Sequence, residues 1–250
     1  VMDLKNNISQ NEQYKKNISD TLGWVRTQDG ALNNMSSILN RIRDLTVYSS
    51  NDSLSKIDRQ AISDEIKEKV GEIMDTLNAN FGGRYIFSGQ KTLKKPFFLD
   101  NNDVMSYIKD SGSEKNIFRE ISKNVSVEVI SASNLFIETD EIDNENKNLG
   151  ILLKNIINDL DEDISLSDNY LNDLDKHIDN VLRLRSRIGS IDNRLQSAES
   201  RNTSENINLK GLLSRSEDID IAEKYMEYSK AITVYQASLS VGAKILQPSL

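Results

Sequence analysis

The sequence predicts a mainly α-helical protein with a small β insertion, an α+β fold in which an elongated antiparallel helical bundle displays an antiparallel β domain. Long segments in the N-terminal and C-terminal parts of the sequence carry apolar residues every seven positions, as in helices that pack along narrow seams. Proline occurs only at Pro96 and Pro248, which suits long uninterrupted helices. Between the helical segments the periodicity changes to short, partly alternating runs, which indicates strands.

The first helix is predicted over roughly residues 4–49 and the second over about 54–80, with a small polar break at 48–53. The seam of the first helix consists of Ile18, Leu22, Val25, Leu32, Met35, Leu39 and Ile42. The second helix carries Ile62, Ile66, Val70, Ile73 and Leu77 at steps of three and four. We expect Gly82 and Gly83 to end it, because glycine tolerates the left-handed conformation that closes a helix.

Five short runs after these glycines predict strands, at 84–87, 96–99, 104–108, 117–121 and 125–130. Polar clusters separate them, and these connections are too short for crossover helices, so we expect antiparallel pairing. We therefore predict a discontinuous helical bundle domain at 1–88 and 150–219, and a β-rich outer domain at 89–149. Residues 220–250 are predicted to form a C-terminal assembly helix.

The return half of the chain is again helical in pattern. One helix carries Leu152, Leu153, Ile156, Ile157, Leu160 and Ile164, and the next carries Leu174, Val181, Ile188 and Leu195 every seven residues. A polar interruption at 214–222 precedes the last helix, where Asp220 and Glu223 resemble a capping box. That helix spaces Ile221, Tyr225, Tyr228, Ile232, Tyr235, Leu239, Gly242 and Leu246 alternately by four and three.

Composition excludes several classes of partner and site. The net charge of −8 argues against a nucleic-acid partner, because phosphates need a basic face. No apolar run reaches about 18 residues, so no membrane partner is expected. The absence of cysteine excludes disulfides and thiolate metal sites. No signal-peptide pattern opens the sequence, which leaves dedicated export machinery open as a route out of the cell.

Three residue groups could suggest chemistry, and each has a simpler interpretation. His177, with Asp173 four residues earlier, lies on a heptad helix and is interpreted as a surface or seam residue rather than an acid–base group. The alternating Asp159, Asp161 and Asp163 lack the glycine and glutamate of a calcium loop. Spacing by two on a helix sends the side chains of Arg183, Arg185 and Arg187 in different directions, and Asp179 is the expected partner of Arg183. We therefore predict no catalytic or metal residues, no cofactor and no enzymatic activity.

Residues 79–89 have the sequence ANFGGRYIFSG, and Pro96 and Phe97 follow shortly after. This pattern resembles the signature of the flagellar hook-associated proteins at the hook–filament junction, a flagellin-like family. Further stretches at 185–195 and 216–223 are similar to segments shared with flagellins. The positions that match are Asn80, Gly83, Arg84, Tyr85, Phe87, Gly89, Pro96, Phe97, Gly189, Asn193, Arg194, Asp218 and Asp220. The resemblance is weakest over 100–150, and it implies a further helical segment before residue 1, so we expect the chain to be a shortened form.

The resemblance implies a structural subunit of the bacterial flagellum that forms the junction between hook and filament. The implied partners are other copies of itself, the neighbouring hook-associated junction protein, flagellin and a flagellar export chaperone. The implied location is outside the cell, after flagellar type III export without a cleaved signal peptide. The alternatives are a flagellin filament subunit and, from another class, a coiled-coil module that regulates or binds a partner helix.

The tyrosines of the last helix have two interpretations, packing inside the chain or packing between molecules after assembly. Consecutive seam positions held by tyrosine and glycine favour packing between molecules, where each hydroxyl finds a partner. The predicted assembly interface is Ile221, Tyr225, Tyr228, Ile232, Tyr235, Leu239 and Leu246. Without an N-terminal partner segment, we expect residues from about 223 onward to be poorly ordered or docked on a neighbouring molecule.

Overall fold

The computed structural model describes residues 1–50, 54–109, 115–135, 148–217 and 221–245. The helices in these ranges are α1 (Met2–Ser49), α2 (Lys56–Leu77), α3 (Leu149–Asp161), α4 (Asp168–Glu217) and α5 (Ile221–Ile245). The strands are β1 (Asn80–Phe81), β2 (Arg84–Tyr85), β3 (Phe97–Leu99), β4 (Met105–Tyr107), β5 (Ile117–Ser122) and β6 (Val125–Val129). Long helices with small antiparallel sheets confirm the predicted fold class.

The chain divides into two compact units. One consists of Val1–Glu12 and Thr203–Leu250, and the other of Gln13–Asn202. Helices α1 and α4 each contribute residues to both units, because each runs across a unit boundary. The division into domains at 88/89, 149/150 and 219/220 stays a prediction.

The core of the larger unit follows the heptad seams that the sequence predicts. Every seam residue named for α1, α2 and α4 is buried, and Leu32, Leu39 and Leu195 have 0% of their surface exposed. Burying each such side chain contributes roughly 1.5–3 kcal/mol. Ion pairs also join α1 to α4, with Arg26 3.1 Å from Asp192 and Arg43 2.6 Å from Asp175. The later residue on α1 meets the earlier residue on α4, so the two helices are antiparallel.

Helix α2 begins at a capping box in which the Ser55 side chain accepts from the Asp58 amide and the Asp58 carboxylate accepts from the Ser55 amide. The prediction that Gly82 and Gly83 end this helix is wrong. The helix ends at Leu77, and Asn78 caps it with a φ of −88°. The two glycines instead form the two-residue loop between β1 and β2.

The β1–β2 hairpin explains why two consecutive glycines are needed. Phe81 pairs with Arg84, so only Gly82 and Gly83 lie between the strands. Their φ angles are +59° and +78°. A tight hairpin turn whose twist matches the flanking strands requires positive φ at both central residues, and glycine adopts that conformation without steric cost.

The strands form three two-stranded antiparallel sheets within the described ranges, β1–β2, β3–β4 and β5–β6, so the antiparallel prediction is confirmed. Between β3 and β4, Phe97 pairs with Tyr107. Helix α3 then approaches β4 so closely that a Cβ on Gly150 would lie 1.9 Å from the main-chain oxygen of Met105. Glycine is the residue that this packing permits.

Helix α3 packs beside α2 through polar contacts as well as its apolar face. Its predicted apolar residues are buried up to Leu160, but Ile164 lies beyond the helix end and is 46% exposed, so its inclusion in the helix was wrong. Asp161 at the last position accepts from the Ser63 hydroxyl at 2.5 Å and from Lys67 Nζ at 3.0 Å.

The smaller unit joins the beginning of α1 to the end of α4. Asn206 donates to Asn11 over 2.9 Å, and Lys210 pairs with Glu12 over 3.2 Å. Asn11 is buried, with 4% of its surface exposed. These contacts again place the early residues of one helix against the late residues of the other. Helix α5 belongs to the same unit.

Candidate assembly surface

Helix α5 presents a broad apolar surface to solvent. Its side chains from 223 to 241 are all exposed, and Tyr225, Tyr228 and Tyr235 show 69%, 63% and 65% of their surface. Ile232 and Leu239, on the same predicted seam, are 37% and 56% exposed. The interpretation that the tyrosines form a core inside the chain is therefore wrong for this structure.

Four of the five charged residues of α5 lie in its first ten residues, and the fifth, Lys244, is next to its last residue. Glu223, Lys224, Glu227 and Lys230 occupy its first ten residues, and Lys224 Nζ lies 2.8 Å from Glu227 Oε2. The following stretch, 231–243, contains no charged residue. It also exposes Val234 and Val241 away from the predicted seam. Apolar residues on more than one face are typical of a helix that is covered on several sides.

Four predicted interface or signature positions cannot be placed on this surface. The side chain of Ile221 lies outside the described residues, and so do Asp218, Asp220 and Leu246. The capping box predicted at Asp220 falls on the same undescribed stretch. The remaining interface residues, Tyr225, Tyr228, Ile232, Tyr235 and Leu239, share one exposed helix face at steps of three and four.

The signature residues 79–89 form the connection between the end of α2 and the first described strands. Phe87 is fully buried, and its main-chain oxygen accepts from the Ala132 amide at 2.8 Å. Gly89 has a φ of +58°, a conformation that favours glycine. The Tyr85 amide donates to the Thr92 oxygen over 2.8 Å, which closes the loop after β2. Asn80 and Gly83 belong to the β1–β2 hairpin described above.

Pro96 and Phe97 complete this region from the far side of the loop. Phe97 is fully buried, and Pro96 is buried beside it. The amide side chain of Asn78, the cap of α2, donates to the Phe97 oxygen at 3.1 Å and accepts from the Phe97 amide at 3.0 Å. These signature positions thus attach the start of β3 to the end of α2.

Helix α1 provides the surface on which this region packs. Gln28 is fully buried, and its Nε2 donates to the main-chain oxygens of Ile86 and Ile130, each at 2.7 Å. Phe81 meets the Trp24 ring edge-on, with ring centroids 6.3 Å apart. A Cβ on Gly23 would lie 2.5 Å from the Phe81 ring, so this glycine makes room for the hairpin.

The signature positions on α4 differ from those near the hairpin, because they face outward. Gly189 is exposed, and a Cβ there would meet no described atom within 4 Å. Asn193, one turn later, is also exposed. Arg194 donates to the Ser126 oxygen of β6 at 3.4 Å. Packing within the described chain explains Arg194 but does not explain Gly189 or Asn193.

The groups that could have suggested chemistry serve structural contacts. His177 is buried in the seam with 2% exposure, and Asp173 pairs with Lys176 over 3.0 Å. Among the described residues, no three His, Cys, Asp or Glu side chains converge as a metal site would require. None of the described helices combines the length and apolarity that a membrane-spanning helix needs.

The three alternating aspartates turn to different partners. Asp159 accepts from the Tyr170 hydroxyl at 2.7 Å, Asp161 binds α2 as described, and Asp163 pairs with Arg59 over 3.3 Å. Burial, together with the hydrogen bond to Asp159 and the charge of that carboxylate, raises the pKa of Tyr170 to about 12. The tyrosine is therefore a hydrogen-bond donor throughout the physiological pH range.

The three arginines of α4 also diverge as predicted. Arg185 lies 3.3 Å from Asp29 of α1, and Arg187 lies 2.5 Å from Glu128 of β6. Arg183 donates to Asn180 Oδ1 at 2.7 Å, so the expected pair with Asp179 was wrong. They do not form a basic patch.

The sequence analysis did not identify Gln28, Trp24 and Gly23, the α1 residues that contact the β1–β2 hairpin region. Gln28 carried a usable signal, because it lies seven residues before Met35 and so occupies a seam position with a polar side chain. Trp24 and Gly23 carried none, because their role depends on where Phe81 approaches α1.

Comparison with known proteins gives matches along most of the chain. Residues 1–92 match the model of the bacterial flagellin N-terminal helical region, and residues 171–249 match that of the C-terminal helical region. A flagellin from Xenorhabdus nematophila is 30% identical over 248 residues, covering 96% of this chain and 79% of that protein. A Bacillus subtilis flagellin is 27% identical over 249 residues, covering 94% and 77%.

Solved structures with a similar fold include two flagellar hook-associated proteins. That of hook-associated protein 3 from Legionella pneumophila superposes with a TM-score of 0.75 at 17% identity, covering 87% of this chain and 99% of that one. That from Vibrio parahaemolyticus gives 0.71 at 22% identity, covering 84% and 93%. A Bacillus cereus flagellin gives 0.50 at 21% identity, covering 75% and 88%.

Proposed function

The chain belongs to the flagellin family and is a structural subunit of the bacterial flagellum, and we propose that its place is the junction between hook and filament. The exposed apolar surface of α5 carries this proposal. A helix of 25 residues gains little stability alone in water, and this one leaves its seam uncovered. Covering each apolar side chain on neighbouring subunits contributes roughly 1.5–3 kcal/mol.

The fold supports the junction over the filament as the position of this subunit. Hook-associated and FlgL proteins superpose on the chain with TM-scores from 0.51 to 0.75, and the Bacillus cereus flagellin gives 0.50. The stretch around Gly83 and Phe87 resembles the signature of junction proteins, and Phe87 is buried in the same apolar core as Phe97. The sequence relatives named above are flagellins, so a filament subunit is the second candidate.

The mechanism is mechanical. Copies of the chain associate through α5 and through helix faces such as that of Gly189 and Asn193, and they stack between the neighbouring hook-associated junction protein and the first flagellin subunits. The strands between α2 and α3 face outward. A flagellar export chaperone accompanies the chain before it is exported to the outside of the cell.

Deletion of the gene tests this function. The junction role predicts cells that keep their hooks, lack filaments and release unassembled flagellin into the medium. If the chain is instead the filament subunit, deletion should remove the filament and also leave no flagellin in the medium, because the deleted gene encodes it. Normal filaments after deletion would favour the coiled-coil regulatory module, which also predicts that wild-type cells keep the protein inside the cell in a discrete complex.

A further inference from the structure

A cavity of about 410 Å³ opens between the β1–β2 region and β5. Two cationic side chains line it, Arg84 from β2 and Arg119 from β5, together with Gln90 and Thr92 from the loop after β2. The exposed Phe118 supplies an apolar wall. The chain as a whole is acidic, with 39 acidic and 31 basic residues, so two arginines at one cavity are a local reversal of charge.

Arg119 is held in an unfavourable setting. Its guanidinium carbon lies 5.2 Å from the centroid of the Trp24 ring, a favourable cation–π distance, but its Nε is buried and has no hydrogen-bond partner among the described residues. Burial lowers its pKa, the neighbouring Arg84 lowers it further, and Asp20 acts in the opposite direction. A desolvated cation beside a like charge is costly, and an anion between the two would relieve that cost.

The acidic groups nearby do not neutralise this pair. Among the described residues, neither Arg84 nor Arg119 forms an ion pair at salt-bridge distance. Glu120 also lines the cavity, but its Oε1 accepts from the Asn124 amide at 3.2 Å and from the Tyr14 hydroxyl at 3.4 Å. The cavity therefore combines two guanidinium groups with a carboxylate that is already engaged.

We propose that this cavity binds a carboxylate group, presented by an Asp or Glu side chain of a neighbouring copy of the chain. A guanidinium pair matches the planar, bidentate geometry of a carboxylate. The nearby Glu120 disfavours a group that carries two negative charges on one centre, such as phosphate, relative to a singly charged carboxylate. The wall at Phe118 favours an oxyanion on an apolar stem. Each copy carries a net charge of −8, so such a contact also reduces repulsion between copies. The identity of the occupant rests on the proposed function.

The first arm of the test asks whether the cavity takes a carboxylate. Trp24 is the only tryptophan and lies beneath Arg119, so its fluorescence reports on this site. Titration of the intact chain with succinate should change the emission saturably. The change should be lost in Arg84→Gln and in Arg119→Gln, and kept in Lys94→Gln, which removes a nearby exposed charge outside the cavity. If Arg119→Gln does not fold, the exposed Arg84 still decides the outcome.

The second arm identifies the source of the carboxylate by sedimentation velocity across a concentration series. Self-association should be weakened about tenfold by Arg84→Gln, the loss of roughly one charge-assisted contact, and by saturating succinate. Lys94→Gln should leave it unchanged. Succinate binding without such self-association would assign the cavity to a free carboxylate and overturn the second copy as its source. No effect of succinate on Trp24 would overturn the site itself, while the deletion phenotype would still test the junction role separately.

Discussion

Gln28 on α1 donates from its Nε2 to the main-chain oxygen of Ile86, 2.7 Å away, and the same nitrogen reaches the oxygen of Ile130 at 2.7 Å. One buried amide thus holds the chain where it leaves the β1–β2 hairpin and where it leaves β6. The helical seam and the strands between α2 and α3 are joined by this polar contact as well as by apolar packing.

Replacing Gln28 tests that connection. Gln28→Met keeps the side-chain volume but leaves both buried carbonyl oxygens without their donor, so the free energy of unfolding should fall by about 3 kcal/mol. Urea denaturation followed by circular dichroism measures this change. The matched control Gln13→Ala removes an exposed bond to Asn17 and should cost less than about 0.5 kcal/mol. Equal effects of the two substitutions would show that the buried contact adds no stability.

The approach of α3 to β4 predicts strong intolerance to one methyl group. Gly150→Ala would place a Cβ 1.9 Å from the Met105 oxygen, and because that atom is main chain, the strand or the helix must move. We expect a loss of about 3 kcal/mol or more in unfolding free energy. Gly71→Ala, within α2 with no atom within 4 Å of the added Cβ, should instead stabilise by about 0.5–1 kcal/mol. Thermal denaturation of both variants measures these changes in stability. If Gly150→Ala left the stability unchanged, the close approach of α3 to β4 would be refuted.

Asp161 predicts a pH-dependent contribution to stability. Burial raises the pKa of this carboxyl group, but the hydrogen bonds from Ser63 and Lys67 outweigh burial and lower it below the ordinary value. The carboxylate therefore stabilises the fold above the pKa of about 3.9 of an unfolded aspartate, and the contribution is lost as pH falls through the lower folded value. Asp161→Asn should cost about 1 kcal/mol at pH 7, a figure reduced for solvent screening.

The difference between wild type and Asp161→Asn should shrink as the pH is lowered through this range. Glu68→Gln, an exposed substitution on the neighbouring helix, provides the control and should be neutral at every pH. Urea denaturation at pH 7, 5 and 3 measures the trend. A difference that stays constant with pH would mean that the charge of Asp161 is not what stabilises the contact.

The tyrosines of α5 should matter for assembly and not for the fold of the isolated chain. Tyr225 and Tyr235 are largely exposed, so the double substitution to serine should change the unfolding free energy by less than about 0.5 kcal/mol. The same variant should restore few or no filaments when it replaces the wild-type protein in cells. Lys230→Ala, on the same helix, should restore them fully. If the tyrosine variant restored filaments fully, these side chains would not be part of the assembly interface.

Gly189 offers a case in which stability and function should diverge. An alanine there meets no described atom within 4 Å and improves helix propensity, so the isolated chain should be stabilised by about 0.5–1 kcal/mol. If the exposed glycine accommodates a neighbouring subunit, swimming in soft agar should nevertheless be impaired. A variant that is both more stable and fully motile would show that no subunit packs closely there.

The sequence predicted the helical seams well because burial along a long helix follows a local, repeating rule, as Leu32 and Leu195 illustrate. The predictions from sequence were wrong where the same residues suit two different local structures. The Gly82–Gly83 pair suits a helix end and a hairpin turn equally, since both need positive φ, and the pairing of Phe81 with Arg84 decides between them. The close approach of Gly150 to Met105 and the position of Arg119 over Trp24 depend on tertiary contacts, so no local pattern could reveal them.

Immunogold electron microscopy of purified hook–filament assemblies, with an antibody raised against residues 115–135, tests the central claim most directly. The junction account predicts label confined to a single narrow band where the hook meets the filament. Label distributed along the whole filament would contradict it and identify the chain as the filament subunit.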